Sequence, residues 1–318
     1  MAAASRERLW GVAAGLGAGA LWGLVFLAPK LSPEASPLLL TAGRYLAYGM
    51  IAAVLIAPRW RRLAPLIDAR AWRALVWLSL AGNLVYFAFL VVAVHLAGVA
   101  ASALIVGMVP VAVALWGLRD RNGPPLSRTA PPIALAALAV GLIGWRALGQ
   151  GTAGGPTGTQ ALIGLACAFG ALASWTAYAV GNSRWMARLT QVSPHDWSLL
   201  TGVVTGGLAL VLAVPAVMTS PVLDGEAWAR LAGVCLGVAL LASIIGNALW
   251  NQASRRLPLT MLGQMIVFET VFAFLYGYVL ERRAPAAVEI VAIVLMVVSV
   301  VWCVRAHRVA HAVEETPH

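Results

Sequence analysis

Gly82-Asn83-Leu84-Val85-Tyr86 stands in the middle of one long apolar run, and Gly246-Asn247-Ala248-Leu249-Trp250 stands in the middle of another. Both read G-N-x-x-aromatic. Self-similarity across a long separation is the mark of an internal repeat, and other pairs lie in the same order around these two. Ala20-Leu21-Trp22 precedes the first and Ala173-Ser174-Trp175 the second, each after a stretch of small residues. Arg119-Asp120-Arg121 follows the first and Glu281-Arg282-Arg283 the second, each closing an apolar run. The chain therefore divides into residues 1–150 and 160–310, with a short tail over 311–318.

Composition fixes what the halves are made of. Of 318 residues 61% are hydrophobic and 11% charged, against roughly 45–50% and 25% in soluble domains. A membrane-spanning helix takes about 20 apolar residues, so there is material for about ten. This excludes a soluble enzyme, a nucleic-acid-binding protein and a disordered chain. The breaks between apolar runs predict an all-α membrane protein of ten helices: 9–28, 37–57, 71–94, 97–118, 131–149, 161–182, 196–218, 227–250, 257–280 and 285–304. Each half then holds five spans. An odd number places the second half upside down relative to the first, the inverted-repeat plan of many secondary transporters.

The net charge of +10 reads as topology. On alternate sides of the predicted spans, sixteen arginines face five cations (Lys30, Arg146, Arg230, Arg282, Arg283), with Arg44 inside a span. By the positive-inside bias both termini are cytoplasmic, as expected of a multi-pass protein of a bacterial inner membrane. The N-terminus carries Arg6 and Arg8 before an apolar stretch, but that stretch is about 20 residues long and lacks a small-residue cleavage site, so it reads as a span and not a secretory signal. Cys167, Cys235 and Cys303 lie in apolar runs with no metal or disulfide spacing. Trp10, Trp60, Trp72, Trp145, Trp185, Trp197, Trp228 and Trp302 sit near span ends and read as interfacial anchors.

Gly19-Ala20-Leu21-Trp22-Gly23-Leu24-Val25-Phe26 followed by Lys30 resembles the opening of the drug/metabolite transporter (DMT) superfamily, in its EamA-type ten-helix members. Arg44, the mid-helix Pro110 and Glu281 match residues of that family's pattern. Ser174-Trp175-Thr176-Ala177-Tyr178 and Phe268-Glu269-Thr270 are similar to the YddG-type aromatic amino-acid exporters. The resemblance covers about residues 9–305 and implies a ten-helix exporter with a central substrate cavity. One departure is Arg119-Asp120-Arg121, where the family has Gly-Glu-Arg, so no role is carried over for that glutamate.

Polar groups inside lipid are costly and face the bundle interior or a cavity. Asn83 and Asn247 occupy equivalent places in the two halves, and an amide offers both a donor and an acceptor to a zwitterion; the other reading is interhelical hydrogen bonding. Trp22, Tyr86, Trp175, Tyr178 and Trp250 lie within spans, where they form either cavity walls or packing. Ser243 shares a helix face with Asn247, and Gln264 stands on the ninth helix ahead of Glu269. Glu269 is the one acid deep within a span, either a coupling site or a partner for Arg44. Pro110, with Gly107, is a candidate hinge. His95 is read as a helix-end residue.

These residues predict an exporter of amino acids, aromatic ones included, working by alternating access through a cavity between the repeats. The alternative is an exporter of cationic drugs or quaternary amines, against which stands a first helix without an acid. An enzyme is not expected: no H-E-x-x-H, G-x-S-x-G or paired-aspartate motif is present. No cofactor or metal is expected, and the partners are the small-molecule substrate and the bilayer, with no nucleic acid and a monomer as the working unit.

Overall fold

The computed structural model describes residues 2–117, 126–149, 158–257 and 259–314, and among them there is no β-strand. An apolar medium leaves backbone N–H and C=O groups no water to bond, so a chain of this composition closes its hydrogen bonds within helices. In chain order these are α1 (Ala2–Gly23), α2 (Pro37–Ile56), α3 (Ala69–Ser79), α4 (Tyr86–Val106), α5 (Val109–Gly117), α6 (Leu126–Gly149), α7 (Gly158–Arg188), α8 (Pro194–Thr219), α9 (Gly225–Val238), α10 (Asn247–Arg256), α11 (Leu259–Leu280) and α12 (Ala287–Glu314). Among the described residues six helical rods are long and apolar enough to cross a membrane, and three shorter apolar helices accompany them.

Local sequence sets the helix starts. Ser36, Asp68, Ser193 and Asp224 each accept a hydrogen bond from a backbone N–H of the first turn that follows, satisfying donors that a helix start leaves free. Pro37 and Pro194 take the first helical position, where a missing N–H costs nothing.

α3 and α4 join through one turn of π-helix, Leu80–Val85, and α9 and α10 through another, Ala239–Gly246. The rod from Ala69 to Val106 has 38 residues, about 57 Å at 1.5 Å per residue, nearly twice the ~30 Å hydrocarbon core. It is broken at Gly98, whose φ of +85° is open to glycine and strained for any other residue. The break falls one residue beyond the 94–97 boundary expected from the sequence. His95, three residues earlier, holds its Nε2 buried and not out in water. A second interruption lies at Gly107-Met108, between α4 and α5. There the Met108 N–H tightens onto the Ile105 carbonyl, and Pro110 has no N–H to continue the ladder.

α8 packs along α2, α7 along α4 and the first π-turn, α1 along α11 and α10, and α6 along α12. α2 and α8 approach most closely where Gly49 faces Gly206: a Cβ on Gly49 would stand 2.5 Å from the Gly206 Cα. One hydrophobic core joins α2, α3, α4, α8 and α9. A second fills the space between α6 and α12 against α4.

The ion pairs join helix ends: Glu7 with Arg256, Arg59 with Asp196, Arg230 with Glu34, and Arg146 and Arg283 with the buried Glu289. Each pairs residues that the spans expected from the sequence put on one side of the bilayer.

Candidate functional site: a cavity between paired aromatic rings

Ten of the eleven residues proposed from sequence as binding, coupling or ion-pair groups line one cavity of about 390 Å³: Trp22, Arg44, Asn83, Tyr86, Trp175, Tyr178, Ser243, Asn247, Trp250 and Glu269. Gln264 is on α11, with a side chain outside the described residues. Pro110 stands at the start of α5, and its neighbour Val109 lines the cavity.

The aromatic walls form two sets. Trp22 of α1 meets Trp250 of α10 with ring centres 5.1 Å apart, and Trp175 of α7 meets Tyr86 of α4 at 4.9 Å. Trp175 also lies 4.9 Å from Tyr178. These are the two pairs related by the sequence similarity, and each forms across helices of different halves. The glycine of the G-N-x-x-aromatic motif makes room for them. A Cβ on Gly82 would come within 2.3 Å of the Tyr178 ring, and one on Gly246 within 2.9 Å of Trp22 Nε1.

The π-turns contribute as well. A π-turn disturbs the regular carbonyl ladder, and in each a carbonyl is bonded by a side chain of the facing helix. Ser174 Oγ donates to the Ala81 carbonyl at 2.7 Å, and Trp22 Nε1 to the Ala242 carbonyl at 3.1 Å.

Both asparagines donate to hydroxyls of α8: Asn83 Nδ2 to Thr205 Oγ1 at 3.1 Å, and Asn247 Nδ2 to Ser198 Oγ at 3.3 Å. The interhelical reading thus holds for one N–H of each amide, and both residues still border the cavity. Thr205 passes its own proton to the Thr201 carbonyl.

Arg44 is 6% exposed. Its guanidinium lies 4.2 Å from the Phe87 ring centre and 4.9 Å from that of Tyr45, and Nε and Nη1 are buried without a hydrogen-bond partner. Glu269 lines the same cavity, yet no ion pair joins the two among the described residues. Glu269 sits where α1 lies directly on α11: a Cβ on Gly19 would stand 3.0 Å from the Glu269 nitrogen.

Several lining residues were missed from sequence: Tyr45, Tyr48, Asn182, Ser183, Met186, Ser198, Thr201 and Asn251. Asn182 lies four residues after Tyr178, on the same helix face, and that spacing is the signal that would have found it. Its Oδ1 accepts from Trp197 Nε1 at 2.8 Å. Trp197 corrects the sequence reading: it is 2% exposed, stacked on Trp185, and lines the cavity instead of anchoring at the interface. The proline before it starts α8 and turns Trp197 inward within the first turn. Among the described residues no group of three His, Cys, Asp or Glu side chains comes together to hold a metal ion.

Fold and cavity define a helical, multi-pass membrane protein with a polar, aromatic-walled chamber at its centre. Inner membrane protein YtfF of Escherichia coli (strain K12) is 30% identical over 312 residues, covering 93% of this chain and 95% of that protein. The chain belongs to the YtfF family and is a multi-pass inner-membrane protein. No family model matches it. A crystal structure, described only as that of a protein, shares the fold with a TM-score of 0.61 at 22% identity, covering 96% of this chain and 99% of that one.

Proposed function

We propose that this protein is a transporter and not an enzyme: an exporter of amino acids, aromatic ones included, of the DMT superfamily's EamA type and similar to its YddG-type members. It acts as a monomer of ten spans arranged as two inverted five-helix repeats over residues 1–150 and 160–310, with both termini cytoplasmic. Three features support the repeat. The π-turns fall at matching places, the ring pairs Trp22–Trp250 and Trp175–Tyr86 match, and the contacts of α1 with α10 and α11 mirror those of α7 with α4.

The observation that carries the substrate class is the Arg44 guanidinium, with Nε and Nη1 lacking a hydrogen-bond partner, in a cavity that also holds Glu269 and two sets of aromatic rings. A zwitterion supplies what each lacks: a carboxylate for Arg44, an ammonium for Glu269 and the ring faces, and an apolar side chain for the walls. The volume lies within the ~300–1,000 Å³ typical of small-molecule sites. Hydrogen bonds to charged groups contribute about 1.5–3 kcal/mol each, so the charges fix orientation while the rings select size. Alternating access follows if the halves rock about the cavity, with the break at Gly107-Met108-Val109-Pro110 as hinge.

Uptake of labelled amino acids into liposomes containing the purified protein tests this. Tryptophan, phenylalanine and methionine are expected to enter faster than into protein-free liposomes. No entry of these three or of threonine would sink the substrate assignment. A second reading, export of cationic drugs or quaternary amines, rests on Glu269 among aromatic rings; it predicts that the lipophilic cation tetraphenylphosphonium, and no amino acid, stabilises the protein thermally. The Arg44 charge in the same cavity opposes it.

A further inference from the structure

We propose that the connection between α2 and α3 is a binding site for the headgroup of an anionic phospholipid of the inner leaflet. The proposal rests on the cytoplasmic placement of this connection stated above. Residues 57–66 fold as a short helical turn, Trp60–Leu63, between two 3-10 turns, Ala57–Arg59 and Ala64–Leu66. Leu63 and Ile67 are 3% and 6% exposed, so the segment is nailed to the hydrophobic core. Trp60 and Trp72 touch across it, with ring centres 6.2 Å apart, which brings the start of α3 back over the end of α2.

Five arginines lie within two residues of these rings in sequence: Arg59, Arg61, Arg62, Arg70 and Arg73. Arg59 is paired with Asp196. Arg61, Arg62, Arg70 and Arg73 are exposed, and their side chains enter no ion pair among the described residues. The one acid in the segment, Asp68, is occupied in capping α3 through the Ala71 N–H. Four exposed guanidiniums beside two tryptophans at the end of a span combine the phosphate chemistry of arginine with the ring type that settles at headgroup depth.

A cationic bias on this face follows from topology alone; what sets this connection apart is that its exposed arginines stand next in sequence to the Trp60–Trp72 ring pair. A bilayer with anionic lipid supplies the matching charge directly beside it, which favours a lipid over a soluble acidic protein.

Native mass spectrometry of the detergent-purified full chain, incubated with equimolar phosphatidylglycerol and phosphatidylcholine of matched acyl chains, tests the site. The expected result is one retained phosphatidylglycerol per protein. In the Arg61→Gln/Arg62→Gln/Arg70→Gln/Arg73→Gln variant its affinity falls by roughly 600-fold, at about five-fold per arginine. An Arg184→Gln/Arg188→Gln variant, on the same side of the bilayer, should keep the lipid. Four results would each overturn the proposal: equal retention of both lipids, unchanged retention in the fourfold variant, equal loss in the Arg184/Arg188 control, or displacement by excess inorganic phosphate. A cooperative thermal unfolding transition at the unsubstituted protein's temperature shows that the fourfold variant is folded whether or not tryptophan binds, and so separates this outcome from any failure of the transport reading.

Discussion

The Arg44 guanidinium is held by rings and not by carboxylates: Phe87 and Tyr45 flank it, and two of its nitrogens have no partner. A charge buried this way stabilises little by itself and is poised for an anionic ligand. Arg44→Gln is therefore expected to weaken tryptophan binding by roughly 10- to 100-fold, the worth of a charged hydrogen bond, measured by ligand-induced shift of thermal unfolding. Arg44→Lys should restore part of this, since the ammonium keeps the charge but loses the planar stacking. An unchanged shift in Arg44→Gln would remove Arg44 from the site. Gly82 acts in the opposite way, by making space. In Gly82→Ala the new methyl collides with the Tyr178 ring at 2.3 Å, and the ring must move toward the cavity. Overpacking of this kind costs roughly 1–3 kcal/mol. Competition assays with labelled substrate should show tryptophan weakened about tenfold or more while threonine holds.

Among these residues, Arg44, Glu269, Asn83 and Asn247 are legible in the sequence because polarity inside an apolar run has few explanations. Tyr45, Tyr48 and Trp197 were not. Their exposure depends on which helix lies opposite, and no spacing within one helix encodes that.

At the scale of elements, the α2–α8 crossing is the tightest contact. Gly49 and Gly206 meet with backbones close enough that a Cβ at 206 would stand 2.6 Å from the Gly49 Cα. Gly206→Ala must push the two helices apart, and the expected result is a loss of about 1–3 kcal/mol of stability, seen as a lower unfolding temperature in detergent. Gly207→Ala is the matched control. A Cβ there meets nothing within 4 Å, so its unfolding temperature should hold; equal effects at both positions would contradict the crossing. The periodicity of α2 and α8 announces helices with small residues on one face, but it does not say that those faces meet. The sequence sets this break near His95, where no ionised residue marks it, and the structure puts it three residues on, at Gly98. The π-turns were not foreseen. They insert one residue per turn into otherwise unbroken apolar sequence, and their stabilising bonds come from Trp22 and Ser174 on other helices.

For the whole molecule, the inverted arrangement predicts which ends face which compartment. In a chain with Cys167, Cys235 and Cys303 replaced by alanine, Arg282→Cys should react with a membrane-impermeant maleimide added to intact cells. Arg62→Cys should react only after the inner membrane is opened. Labelling of Arg62→Cys in intact cells would reverse the orientation and withdraw the lipid site with it. Labelling of both, or of neither, would argue against the ten-span topology itself.

The sequence by itself determined that this is an all-helical membrane protein and which few polar and aromatic residues are out of place in lipid. These follow from transfer free energies and chain geometry, which act residue by residue. Only the tertiary structure decided that ten of those residues share one chamber, that Trp197 turns inward, and that Arg44 and Glu269 face the same space without pairing. Those outcomes depend on how close two backbones can come, which is set at Gly49 and Gly206, Gly82 and Tyr178, or Gly246 and Trp22. Each is a contact between residues far apart in the chain, fixed by steric fit and not by the pattern of either helix alone.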